Sequence, residues 1–371
     1  IRIFPKNKNL ILFTAWYGEK YIDNTKYVFE YFVEKGGYDV WWLTKNKTIF
    51  NALSDKKFPV VMKSSFKGLW LQFRAKVLFS TVQLADYNNE LIVNSIYIDL
   101  GHGNMIKDPG DVLRDWRFRR HEALMLNNID YYAIVPSKYA KKYYQQVIRV
   151  PEQKILISDF ARNDVFVDES LSAGINNNVK NIARGRKVIV YMPTHRSDGR
   201  RPLQLEKVLP LSNIQELCHD NNWVFIIKKH FYHRNESIDL TPYDNIYDIT
   251  NDATIDPQVL LKQADVLITD YSSCFIDYLL LRRPILFYQF DYDDYIINER
   301  SLFIDFQKEN FAPVVKEKDK LCVTLKELID TDNYEYRANA ERITSFFFDN
   351  VKDLKGREKV YKIMEEIMGK L

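Results

Sequence analysis

Short apolar runs separated by amphipathic segments recur along the whole chain. Runs of three to six such residues predict buried strands, and apolar positions at helical spacing between them predict helices. In the first half, the predicted strands are Leu10–Thr14, Val40–Leu43, Val60–Met62, Lys76–Ser80, Ile96–Leu100, Tyr132–Val135 and Ile155–Ser158. This alternation predicts a doubly wound parallel sheet of α/β type.

The pattern breaks once and then restarts. Residues 169–184 are polar and carry an Asn run, which predicts a linker between domains. Strands are predicted again at Lys187–Tyr191, Trp223–Ile227, Ile246–Asp248, Val266–Thr269 and Ile285–Tyr288. We therefore expect an N-terminal Rossmann-like domain over 1–168 and a C-terminal one over 185–345. A closing helix over 346–371 has one apolar face and is a candidate to pack on the N-terminal domain.

A polar turn follows the predicted strand Val266–Thr269 and precedes a helix. Ligands of open α/β sheets bind at this end of a strand, because the next helix points its unpaired N–H groups outward. The hydroxyls of Ser272 and Ser273 make the turn suitable for a phosphate or pyrophosphate. Asp277, four residues after Ser273, is placed to accept hydroxyls of a ribose or a polyol. The structural alternative is a Ser N-cap with Asp270 as a turn residue.

Two further predicted strands end in polar residues. One ends in Thr194, His195 and Arg196, and the other in Lys228, Lys229 and His230. An arginine in such a place is suited to clamp phosphate oxygens. If these strands and Val266–Thr269 are neighbours in one sheet, their ends converge on one anion site.

A histidine stands between two glycines after the predicted strand Ile96–Leu100. Gly101 and Gly103 allow a sharp turn and leave the His102 imidazole exposed, in the position that a general base requires. A histidine in a glycine turn also has a purely structural interpretation. Lys107, a potential phosphate partner, lies nearby in the sequence.

Composition and charge narrow the function classes. A chain of 371 residues exceeds the usual size of one core, and a net charge of +3 does not favour a nucleic-acid partner. Three cysteines that are far apart fit neither a disulfide framework nor a zinc site, so we expect a reducing, cytoplasmic compartment. No carboxylate cluster demands a metal. Because Ile1 is not preceded by an initiator Met, we expect the sequence to be part of a longer chain.

Basic and aromatic residues are interleaved in two segments. Such clusters rest on anionic membrane surfaces, although a solvated helix face has the same composition. One segment holds Arg114, Arg117, Arg119 and Arg120 with Trp116 and Phe118, and the other holds Lys67, Arg74 and Lys76 with Phe66, Trp70 and Phe73.

Several blocks together resemble the CDP-glycerol glycerophosphotransferase family, which comprises teichoic acid primases and polymerases and related capsule polymerases. The blocks span Gly18 to Tyr295 and read GEKYIDNTKYVFEYF, GHGNMIKD, ISDFARNDVF, VIVYMPTHRSDGR, IIKKH and ADVLITDYSSCFIDYLLLRRPILFYQFDYDDY. The resemblance implies a GT-B fold of two Rossmann-like domains that face a cleft, with the nucleotide mainly on the C-terminal domain. The sequence departs from the family pattern at Gly101, at His195 and between Ser158 and Arg162.

The resemblance also implies the reaction. An acceptor hydroxyl on a growing polyol-phosphate or lipid-linked chain attacks the β-phosphate of CDP-glycerol or CDP-ribitol and releases CMP, with no further cofactor. The implied location is the inner face of the cell membrane. The matching residues are His102 as general base, Arg196 and His230 on the pyrophosphate, and Lys107, Thr194, Lys228, Asp270, Ser272, Ser273 and Asp277 on the donor. A GT-B sugar transferase, a nucleotide-sugar epimerase and a non-catalytic anion-binding module remain alternatives.

Overall fold

The computed structural model describes residues 5–104, 106–107, 123, 126–147, 150–172, 177–252, 255–299, 301–302, 304–331 and 334–369. The chain divides into two compact units. The first unit contains Ile1–Asn104, Pro109–Asp164 and Phe347–Leu371, and the second contains Met105–Asp108 and Val165–Phe346. The Arg114–Arg120 cluster lies outside the described residues.

The first unit is built on a parallel sheet with seven described strands in the order β3-β2-β1-β4-β5-β6-β7. The strands are β1 (Asn7–Phe13), β2 (Asp39–Thr44), β3 (Val60–Met62), β4 (Ala75–Ser80), β5 (Ile96–Asp99), β6 (Asp130–Val135) and β7 (Ile155–Ile157). Its described helices are α1 (Asp23–Lys35), α2 (Lys47–Asp55), α3 (Phe66–Arg74) and α4 (Lys138–Val147).

The second unit repeats this plan with six described strands in the order β10-β9-β8-β11-β12-β13. They are β8 (Lys187–Met192), β9 (Trp223–Ile227), β10 (Ile246–Asp248), β11 (Val266–Thr269), β12 (Ile285–Tyr288) and β13 (Val314–Val315). The helices described before and within this unit's sheet are α5 (Asn177–Ala183), α6 (Leu205–Val208), α7 (Leu211–Asp220), α8 (Pro257–Gln263) and α9 (Cys274–Leu279). Those that follow in this unit are α10 (Tyr292–Asn298), α11 (Phe306–Glu309), α12 (Leu321–Asp330) and α13 (Tyr334–Phe347), whereas the last described helix, α14 (Gly356–Gly369), belongs to the first unit.

Both sheets place their first strand in the interior, so the strand order reverses beside it. In the first unit the reversal lies between β1 and β4, and in the second between β8 and β11. Crevices for ligands open at such points in doubly wound sheets. The predicted fold class, α/β with two Rossmann-like parallel sheets, is confirmed.

The apolar runs of the sequence are the cores of the two sheets. Leu12 in β1 and Ile268 in β11 are completely buried, as the strands are covered on both faces. The predicted strands correspond to described strands, whereas the two-residue strand β13 was not predicted. No helix in the described part of the chain has the length and apolar character needed to cross a membrane.

The end of the chain packs on the first unit. The ring of Tyr361 in α14 lies 4.8 Å from that of Phe32 in α1. The amides of Gly356 and Arg357, in the first turn of α14, donate to the Asp164 carboxylate at 2.7 and 2.9 Å. A carboxylate at the N-terminus of a helix satisfies free N–H groups and complements the helix dipole, so Asp164 anchors α14.

Candidate functional site

Three polar strand ends meet at one edge of the second sheet. Strand β8 pairs on one side with β9 and on the other with β11, always in parallel. The three strands are therefore neighbours in one sheet, as a single site at their ends requires. Thr194, after β8, donates its amide to the Asp270 carboxylate, after β11, at 2.8 Å. The Thr194 hydroxyl is buried and has no hydrogen-bond partner among the described residues.

Arg196 lies inside this edge in a cage of carboxylates. Its Nη2 is 2.9 Å from Asp270 and its Nε 2.8 Å from Asp291, while Nη1 donates to the Thr194 carbonyl at 2.6 Å. Burial opposes the charge of Arg196, but Asp270 and Asp291 outweigh burial and raise its pKa. The guanidinium is only 1% exposed. The structure thus places Arg196 as a link between strand ends rather than as a fork presented to solvent.

An aromatic pair covers the arginine. The rings of Tyr271 and Tyr295 stack with centres 3.7 Å apart, and the Arg196 guanidinium lies 5.1 and 4.9 Å from those centres. Burial, followed by the charge of Asp291, raises the pKa of Tyr271, whose hydroxyl donates to Asp291 at 3.1 Å. Lys107 groups with this unit, and its Nζ lies 5.7 Å from the Tyr295 ring centre.

Two histidines stand side by side at the same edge. The ring centres of His195 and His230 are 4.7 Å apart, and Tyr232 lies 5.2 and 4.8 Å from them. His230 Nδ1 accepts from the Tyr232 amide at 3.4 Å, so the neutral ring carries its proton on Nε2, which suits donation to a phosphate oxygen. Lys228 is half-buried after β9, whereas Lys229 pairs with Asp248 at 2.9 Å.

Ser272 and Ser273 immediately precede α9. Ser273 is the N-cap residue but makes no side-chain cap, and Ser272 Oγ accepts from the Cys274 amide at 3.4 Å. Both serines are half-buried. Asp277, in contrast, is 2% exposed and accepts from Gln258 at 3.2 Å. The structure therefore turns Asp277 towards α8 in the interior of the unit.

His102 stands exposed after β5 in the first unit. Its Nδ1 is 3.1 Å from the Thr81 carbonyl. A carbonyl oxygen only accepts, so Nδ1 carries the proton and Nε2 of the neutral ring keeps a lone pair. The Trp16 ring lies 5.0 Å from the imidazole. His102 is thereby held in the tautomer that a general base acting through Nε2 requires.

A buried network fixes the turn that carries His102. Arg162 Nη1 donates to the His102 carbonyl at 2.6 Å and to Asp23 at 2.7 Å. Asn24 donates to the Gly101 carbonyl at 3.1 Å, and the Gly101 amide donates to Asp99 at 2.9 Å. Gly101 has a φ of +59°, the left-handed region that favours glycine. Two distant chain segments, around Asp23 and around Arg162, thus converge on the turn.

Sequence reasoning missed the role of this network. Asp23 and Asn24 are the first two residues of α1, whose N-cap is Ile22 and makes no side-chain cap, so no local helix signal points to their contacts with the turn. Asp99 is buried and accepts from the hydroxyls of Tyr131, at 2.6 Å, and Tyr144. Burial raises the pKa of Asp99. The sequence feature that could have pointed to the network is Arg162 in the block ISDFARNDVF, but its hydrogen-bond partners lie 60 or more residues away along the chain.

The described residues contain no group of three or more His, Cys, Asp or Glu side chains placed to hold a metal ion.

Comparisons with known proteins agree on one family. The profile of the family described as CDP-Glycerol:Poly(glycerophosphate) glycerophosphotransferase matches residues 1–366. The teichoic acid poly(glycerol phosphate) polymerase of Bacillus spizizenii is 29% identical, over 100% of this chain and 94% of the relative. The teichoic acid glycerol-phosphate transferase of Staphylococcus aureus is 27% identical, over 88% and 86%. The solved structure of the wall teichoic acid polymerase TagF superposes with a TM-score of 0.80 at 25% identity, covering 98% of this chain and 90% of that one.

Proposed function

The chain belongs to the CDP-glycerol:poly(glycerophosphate) glycerophosphotransferase family, and from this premise we propose that it transfers glycerol phosphate from CDP-glycerol to the hydroxyl end of a teichoic acid chain and releases CMP. The family and the enzyme class predicted from the sequence are confirmed. The observation that carries the proposal is the convergence of the ends of β8, β9 and β11 on one edge, in a chain that matches the family over nearly its whole length.

In the proposed reaction, His102 acts as general base. Its Nε2 takes the proton of the acceptor hydroxyl while the hydroxyl oxygen attacks the β-phosphorus of the donor. The bond from that phosphorus to the bridging oxygen breaks, and CMP leaves with the electron pair. The Thr81 carbonyl stabilises the imidazolium that forms, because it accepts a hydrogen bond from Nδ1–H.

The second unit is proposed to hold the donor phosphates. His230 offers an Nε2 proton, Ser272 and Ser273 offer hydroxyls, and Lys107 and Lys228 offer positive charge to the leaving CMP. The buried Thr194 hydroxyl is a further candidate donor. Arg196, Asp270 and Asp277 are proposed to act as positioning residues, since they are buried and hydrogen-bonded to other protein side chains.

The finer features of the substrates are also proposals. We propose CDP-glycerol over CDP-ribitol because the first two relatives carry glycerol phosphate in their names. We further propose that the acceptor is lipid-linked and that the protein acts in the cytoplasm, on the inner face of the membrane. Replacing Arg114, Arg117, Arg119 and Arg120 by Ser is expected to weaken sedimentation with anionic vesicles, and unchanged sedimentation would oppose a role for that cluster.

CMP release tests the proposal. The purified protein is offered CDP-glycerol and CDP-ribitol separately, each with and without a short glycerol-phosphate acceptor. We expect acceptor-dependent CMP from CDP-glycerol. If CMP is released only from CDP-ribitol, and only when the acceptor is present, the donor is CDP-ribitol instead of CDP-glycerol. Silence with both donors, alongside product from a UDP-sugar, would move the protein to the sugar transferases.

A further inference from the structure

Helix α3 of the first unit buries Leu71 but exposes three other large apolar side chains. Phe66 is 86% exposed, Trp70 49% and Leu69 38%. Residues three and four apart lie on one side of a helix, so these side chains form one surface together with the half-buried Phe73. Apolar residues of a surface helix ordinarily face the core. This surface, Phe66 to Phe73 on the outside of α3, is called here the α3 face.

The opposite side of α3 is firmly seated on the unit. Gly68 packs so closely that a Cβ at this position would lie 2.2 Å from the Met62 carbonyl oxygen. Gln72 is buried, donates to the Lys63 carbonyl at 3.1 Å and accepts from the Asn88 amide at 3.0 Å. Close packing and internal hydrogen bonds therefore fix the helix. The exposed aromatic side chains belong to a well-anchored element.

Basic side chains frame the α3 face. The ammonium of Lys67 lies 3.5 Å from the Trp41 ring centre, and the guanidinium of Arg74 lies 5.7 Å from that of Trp70. Lys6 lies 5.9 Å from the Phe73 ring centre. Burial, followed by the charges of Lys76 and Arg74, lowers the pKa of Lys6 to about 8. Several positive charges are thus concentrated here, and Asp39, which accepts from Trp41, is a carboxylate at the same edge.

We propose that the α3 face is a contact site for the surface of an anionic phospholipid bilayer. Aromatic rings are stable at the level of lipid headgroups, and Lys and Arg reach lipid phosphates while their stems cover apolar surface. The combination of exposed Phe and Trp with a cationic rim is complementary to such a surface. The inference refines the membrane partner proposed above and adds a second segment to the Arg114–Arg120 cluster.

Vesicle sedimentation tests this site. Vesicles of phosphatidylglycerol and phosphatidylcholine are mixed with the wild type and with the variants Phe66→Ser/Trp70→Ser and Lys67→Ser/Arg74→Ser. We expect Lys67→Ser/Arg74→Ser to bind at least tenfold more weakly, because one basic residue near an anionic surface contributes roughly fivefold. We expect a loss of at least tenfold for Phe66→Ser/Trp70→Ser as well, because this variant loses the apolar area that inserts between the headgroups. The matched control Val167→Ser/Val323→Ser removes two apolar side chains that are 57% and 60% exposed in the second unit. Its binding is expected to equal that of the wild type.

Three outcomes would overturn the inference. One is equal sedimentation of the wild type and both α3 variants. Another is equal binding of the wild type to vesicles of phosphatidylcholine alone, and the third is wild-type self-association that the Phe66→Ser/Trp70→Ser variant abolishes without any vesicle binding. CMP release from CDP-glycerol and a soluble acceptor, without vesicles, checks that the variants are folded. If the wild type binds vesicles but releases no CMP, the proposed reaction fails and the contact site stands.

Discussion

The tautomer of His102 makes its proposed role testable. Because Nδ1 is bound to the Thr81 carbonyl, only Nε2 is available to take a proton. Replacing His102 by Ala is expected to lower kcat by about two to four orders of magnitude, the range for a positioned general base. The affinity for CDP-glycerol, measured by calorimetry, is expected to stay the same. His219, 76% exposed on the second unit, is the control, and His219→Ala is expected to keep full activity. Equal loss of donor affinity would make His102 a binding residue instead.

Arg162 is expected to act on the reaction through the position of His102. One guanidinium nitrogen donates to both the His102 carbonyl and Asp23. The ammonium of a lysine is one bond closer to its own backbone, so it does not reach both acceptors from the same backbone position. We expect Arg162→Lys to lower kcat about 10- to 100-fold with an unchanged KM for CDP-glycerol, since small displacements of a catalytic group are costly. The control is Arg357→Lys, because Arg357 is also paired with a buried carboxylate, Asp164. A similar fall in kcat for both variants would show a general structural effect.

Arg196 is expected to matter first for stability. Its removal leaves the carboxylates of Asp270 and Asp291 without their buried counter-charge, which costs about 3–5 kcal/mol in the free energy of unfolding. Urea unfolding of Arg196→Met is the measurement. Arg201 approaches the same Asp291 at 3.5 Å but is 32% exposed, so Arg201→Met is expected to cost less than about 1 kcal/mol. Equal stability of the two variants would contradict the buried cage.

At the level of elements, hydrophobic patterning predicted every described strand except the two-residue β13. Ile96–Leu100 was predicted and β5 covers Ile96–Asp99, whose four consecutive buried residues are typical of a parallel strand covered on both faces. The polar strand ends at Thr194, His230 and Asp270 were predicted to meet, and strand order brings them to one edge. The carboxyl ends of parallel strands lie at one edge of a sheet, so the order of strands and helices along the chain largely determines which strand ends meet there.

Side-chain partners were not predictable in the same way. The sequence shows an arginine after a strand, but whether Arg196 meets a ligand or buried carboxylates depends on Asp291, 95 residues later. Asp277, four residues after Ser273, has the spacing of a ligand-binding residue, yet it is buried and accepts a hydrogen bond from Gln258 of α8. Such outcomes follow from packing between distant segments, which no local pattern records. The stacking of Tyr271 on Tyr295 belongs to the same class.

On the scale of the whole molecule, the first unit combines segments that are far apart in the sequence, namely residues up to Asp164 and residues from Phe347 onwards. Residues of α14 that are buried include Val360, Tyr361, Met364 and Ile367. They cover α1, where Tyr361 contacts Phe32. The core of the first unit is therefore incomplete without Phe347–Leu371, whereas the second unit is formed almost entirely by Val165–Phe346.

This arrangement predicts an asymmetric response to loss of the last segment. A chain that ends at Phe346 is expected to lose hydrogen-exchange protection in α1 and β1, because the buried face of α1 becomes exposed. Amides of β8 and β11 are expected to keep their protection. Met364→Ala, which leaves the chain intact, is expected to cost about 2–5 kcal/mol in the first unit, while Lys362→Ala on the exposed side of α14 is expected to be nearly neutral. Equal loss of protection in both sheets, or none in either, would contradict the assignment of α14 to the first core.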